Sequence, residues 1–157
     1  MSTVMLALHV LSAVLFLGPV TVAVSTFHVQ AAHAHNGNDK AKGSAALLYR
    51  ISNTYGLLSL LVPLLGFGVM FSNLDAWLKE GLLHTSILLS VIAWAVLYFL
   101  ILPRQKAMAA ELGILDADDM PENATVQDWD KAKSQLSMFG GIFSLLWIII
   151  FALMMTM

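Results

Sequence analysis

Residues 4–27, VMLALHVLSAVLFLGPVTVAVSTF, hold no acid, lysine or arginine. At about 1.5 Å of rise per residue, a helix of this length crosses the ~30 Å hydrocarbon core of a bilayer with a little tilt. Three further apolar blocks follow, at residues 45–71, 81–102 and 135–157. Only 11% of the chain is charged and 59% is hydrophobic, whereas a soluble domain is about 25% charged. Blocks this long exceed what a water-soluble core needs, so the expected fold class is all-α: a four-helix transmembrane bundle forming one integral membrane domain over residues 1–157. Met1-Ser2-Thr3 carries no base, and the first run is longer than the 7–15-residue apolar region of a secretory leader. It is therefore expected to be a retained anchor.

The connections set the expected orientation. The first polar segment, residues 28–43, contains the turn signal Asn36-Gly37-Asn38-Asp39, so the first helix is expected to end near Ala34 and the second to begin near Ser44. Residues 72–80 form a short connection, and residues 104–133 the one sizeable extramembrane loop, in which RQKAMAAELG reads as helix continued to a stop at Gly113. Thr125 and Asp128 suggest a capping box opening the last helix. Lys40, Lys42 and Arg50 accompany the first connection, Arg104, Lys106, Lys131 and Lys133 the third, and Lys79 alone the second. The positive-inside rule then predicts N-out/C-out, with loop 104–133 cytoplasmic in a multi-pass protein of the plasma membrane. On that side the sequon Asn123-Ala124-Thr125 carries no weight for glycosylation.

Few residues carry chemistry. His9 and His84 fall at similar depths, roughly 6 to 9 Å below the same surface. If their helices turn them toward each other, they suit the two axial positions of a haem b, with Trp94 walling the ring. The competing reading is structural: each imidazole bonds a neighbouring helix or faces water. A metal ion at the pair would need Asp75 or Glu80 as a further ligand. Arg50 is expected to snorkel to the headgroups or pair with an acid on a partner or lipid, and Trp77 to lie at the interface. Gly66 and Gly68, with Pro63, mark a bend or a close helix approach, and Gly140 with Ser144 forms a small-xxx-small packing face. The chain has no cysteine and a formal net charge of −2, which excludes thiolate chemistry and makes nucleic acid an unsuitable partner. The spans hold no buried acid or lysine of the kind a proton-coupled transporter uses, and no independent catalytic constellation is visible.

Leu8-His9-Val10 followed by Gly18 resembles the opening helix of small four-helix membrane proteins that include the CopD-type copper-resistance proteins and the HemJ-type protoporphyrinogen oxidases. In the HemJ-type enzymes a first-helix histidine binds haem and a lysine in a later helix is needed; the third apolar block here, residues 81–102, has no lysine. In length and layout the whole chain also resembles the small four-helix subunits that accompany cytochrome c oxidase in actinobacterial respiratory supercomplexes. That likeness implies a non-catalytic accessory subunit without a cofactor, whose partners are lipids and other integral membrane subunits of oxidase or cytochrome bc type. The alternative is a haem b-binding redox or haem-pathway protein using His9 and His84.

Overall fold

The computed structural model describes residues 2–123 and 125–157; Ala124, the middle residue of the sequon, lies outside the described residues. The fold is all-α. Four helices are long and apolar enough to cross a membrane: α1 (Thr3–His35), α2 (Asp39–Phe71), α4 (Gly81–Glu111) and α5 (Trp129–Thr156). A single turn, α3 (Leu74–Trp77), sits in the connection between α2 and α4. The chain is a membrane protein with four transmembrane helices.

Each helix runs further than its apolar block because its ends are capped in polar sequence. Asn38 accepts the Ala41 amide through its side chain, so α2 opens at Asp39 instead of near Ser44, and Gly43 is carried inside it. The turn before it uses Gly37 at a φ of 95°, a conformation only glycine adopts cheaply. The cap of α5 is Asp128, which accepts the Lys131 amide. That corrects the capping box expected from Thr125: an aspartate at the first position already satisfies the orphan amide. With α4 reaching Glu111 and α5 starting at Trp129, the connection is shorter than loop 104–133. It begins at Gly113, whose φ is 70°, and is pinned by Glu111, which accepts from the Val126 amide (2.8 Å) and the Trp129 indole (3.1 Å).

Three prolines explain where the long helices depart from α geometry. A proline cannot bond the carbonyl four residues earlier, and its ring presses on that carbonyl. Pro19 follows a π-helical turn at Ala13–Leu17, and Pro103 follows another at Val96–Ile101. Pro63 follows a break in α2 at Ser59 and Leu60. In all three the loosened turn contains the carbonyl that the proline abandons: Leu15, Phe99 and Ser59.

The helices meet unevenly. At the end where the polar connections and seven of the eight bases lie, the basic end, all four pack together around Val24, Phe27, Ala45, Leu97, Ile101, Met108, Leu136 and Phe143. Toward the end bearing the chain termini, the outer half of α1 packs on the outer half of α2, and α4 on α5, without extensive contact between the two pairs. The bundle therefore opens at its terminal end. In α2 and α5 only 17% of the most apolar stretch is buried, against 28% in α1 and 33% in α4. The first and third spans are thus the more central, while the second and fourth present most of their apolar surface outward.

Candidate functional site

The densest polar contacts inside the spans converge on the break in α2. At the break the Ser59 carbonyl accepts from the Val62 amide at 3.1 Å, and side chains from both central helices donate to the Gly56 and Val62 carbonyls on either side of it. The Trp94 indole on α4 donates to the Ser59 hydroxyl at 2.9 Å, and that hydroxyl donates to the Gly56 carbonyl at 2.6 Å. One turn further along α4 the Tyr98 hydroxyl donates to the same Gly56 carbonyl at 2.7 Å. From α1, the His9 ring donates through Nδ1 to the Val62 carbonyl at 2.8 Å. A carbonyl only accepts, so Nδ1 carries the hydrogen of this contact. Trp94 also meets Trp147 of α5 edge to face at 5.1 Å between centroids, so all four spans reach this clasp. The Trp94 indole, the Ser59 and Tyr98 hydroxyls and the His9 Nδ1 are partnered within it, while the buried Trp147 indole N–H has no hydrogen-bond partner. Chemically it can fix a bent helix.

Gly66 is what admits His9. A Cβ built on Gly66 would stand 3.0 Å from the imidazole Cε1 and 3.2 Å from Nδ1, so the ring packs against bare backbone. Gly68, two residues on, faces Met5 of α1, where a Cβ would make ordinary contact at 3.5 Å from the sulfur. His84 is placed elsewhere. It is exposed, and its Nδ1 donates to the Glu80 carbonyl of its own helix at 2.9 Å. His9 thus bonds α2 while His84 bonds its own helix: equal depth fixes a residue's height, whereas helix phase decides what it faces. Among the described residues no three His, Cys, Asp or Glu side chains are grouped so as to hold a metal ion.

The remaining residues singled out from sequence fall into place individually. Gly140 meets α1 so closely that a Cβ would stand 2.7 Å from the Val24 carbonyl oxygen, and one turn on the Ser144 hydroxyl lies 3.4 Å from that of Ser25. Arg50 is exposed at the basic end of α2. Trp77 is half-buried beside a cleft of about 440 Å³ at the terminal end, whose walls include Leu6, Val69 and Asn73. Sequence reading missed Gly56, Ser59 and Tyr98, although the position four residues before Pro63 was a usable signal for a break needing outside donors. It also missed Gln105, which is fully buried on α4 with no partner for either end of its amide. At the basic end Arg104 donates to the Leu100 carbonyl and to Gln135 and lies over the Phe139 ring, while His35 stacks on Trp129 at 4.1 Å.

No family model matches the chain, and neither a curated protein nor a solved structure matches it.

Proposed function

We propose that this chain is a non-catalytic accessory subunit of a multi-subunit membrane complex, lying N-out/C-out in the plasma membrane. The observation that supports this reading is the opening of the bundle at its terminal end. Large apolar side chains there, among them Leu64, Phe71, Leu88 and Ile148, are each about three-fifths exposed within the chain itself. Leu64, Leu88 and Ile148 each lie two residues from a buried position, Val62, Ser86 and Ile150, and so face outward from their helices, on two helix pairs that make little contact with each other. A helix from a neighbouring subunit would cover such faces with the close packing that drives helix association in lipid. The respiratory character of the complex, with oxidase or cytochrome bc-type partners, rests on the resemblance in length and layout.

The haem b reading needs two imidazoles turned toward one cofactor, and the placement of His9 and His84 gives it no support. The clasp points the same way, since His9, Trp94 and Tyr98 serve to hold a helix bend. Solubilisation in mild detergent, followed by native electrophoresis and identification of what co-migrates, tests the proposal. Co-migration with other integral membrane subunits is expected. Migration as a lone species of 17.1 kDa plus detergent would count against it.

A further inference from the structure

Below the close contact of Gly140 with Val24, α1 and α5 leave a shallow groove of about 470 Å³ at the basic end, lined by His28, Asp130, Lys133, Ser134, Ser137 and Met138. The five α5 residues stand at positions i, i+3, i+4, i+7 and i+8, which makes them one stripe on one helical face. They are exposed, whereas His28 on α1 is only 9% exposed and its Nδ1 has no hydrogen-bond partner. The groove lies at the hydrocarbon boundary. The last charge of α5 is Lys133, after which residues 134–157 carry none, and on α1 the uncharged run 4–27 ends beside His28.

The order of chemistry along the stripe is informative. Over roughly 12 Å it passes from a carboxylate, through an ammonium and two hydroxyls, to a thioether. A zwitterionic phospholipid with a primary amine in its headgroup presents the complementary sequence on descending into a bilayer: ammonium, phosphate, glycerol ester, acyl chain. We propose that this groove binds such a lipid. Asp130 accepts from the ammonium, Lys133 and Ser134 donate to the phosphate, Ser137 reaches the ester level, and Met138 lies along the first methylenes. His28 supplies a further polar group at the back of the groove. The carboxylate selects the class: a quaternary ammonium has no N–H to donate to Asp130, and a headgroup bearing only negative charge is repelled by it. The proposal stands apart from the accessory-subunit reading, since a chain with no protein partner would still hold the lipid.

Native mass spectrometry of the purified full chain in mild detergent, titrated with dioleoyl phospholipids bearing ethanolamine, choline or glycerol headgroups, tests it. The ethanolamine lipid is expected to be retained roughly fivefold better than either of the others, the scale of one partly exposed ion pair. Lys133→Gln should lower retention of all three, and Asp130→Asn should remove the preference while leaving retention itself. Ser137→Ala should weaken retention without changing the preference. All three side chains are exposed, so the variants are expected to keep the wild-type unfolding temperature. Inorganic phosphate at millimolar concentration should not displace the lipid. Equal retention of the three lipids, retention unchanged in every variant, preference for the glycerol headgroup, or displacement by phosphate would each overturn the proposal.

Discussion

At the residue scale, the two glycines that accept foreign atoms make the sharpest predictions. Gly140→Ala drives a methyl into a backbone carbonyl of α1 that no rotamer change can clear, and it is expected to cost about 1–3 kcal/mol by overpacking. Its neighbour Gly141 has nothing within 4 Å, so Gly141→Ala should be neutral or stabilising by up to about 1 kcal/mol through helix propensity. Thermal unfolding of the pair in detergent, read by far-ultraviolet circular dichroism, separates the two. Gly66→Ala acts indirectly, by evicting the His9 ring and its bond to Val62, a contact worth about 0.6 kcal/mol in a membrane helix pair. In a double-mutant cycle the cost of Gly66→Ala should largely vanish in a His9→Ala background; full additivity would show that the ring is not what Gly66 accommodates. Gln105 carries the opposite expectation. Its buried, unpartnered amide costs about 1–3 kcal/mol, so Gln105→Leu should raise the unfolding temperature. A loss of stability on that change would reveal a partner for the amide.

At the scale of the element, the helices are bent by their prolines and held in the bend by their neighbours. Pro63→Ala offers the Ser59 carbonyl a regular donor four residues on, in place of the Val62 amide that bonds it at 3.1 Å, so amide exchange at residues 59–62 is expected to slow, and the Trp94 emission to shift as its Ser59 partner moves. Unchanged exchange there would place the cause of the break in packing. Much of this scale was legible in the sequence. Apolar run length gave the number of spans, and Asn36-Gly37 gave the first reversal, because both depend on local chemistry. The helix ends were misplaced where a cap lay in polar sequence, as at Asn38 and Asp128, since an extramembrane extension leaves no mark in hydrophobicity. What His9 and His84 each bond was beyond sequence for a different reason. Depth follows from counting along one helix, whereas facing depends on rotation and on how the four helices splay, and both are settled by contacts such as Gly140 on Val24.

At the scale of the whole molecule, the asymmetry between a closed basic end and an open terminal end organises the rest. The closed end holds the shared core and the groove beside His28. The open end carries the two helix pairs, joined by the clasp at Ser59 and diverging beyond it. Removing the clasp tests this coupling. Trp94→Phe deletes the donor to Ser59 while keeping most of the ring, and it is expected to destabilise the fold by about 1 kcal/mol and to weaken any complex that depends on the angle between the pairs.

Photo-cross-linking in intact membranes addresses the open end itself. With a photoreactive side chain at Leu64 on α2 or Leu88 on α4, both on outward helix faces, a second protein packed against this end predicts discrete protein adducts of a defined larger mass from both positions. Adducts to lipid alone at both would contradict it.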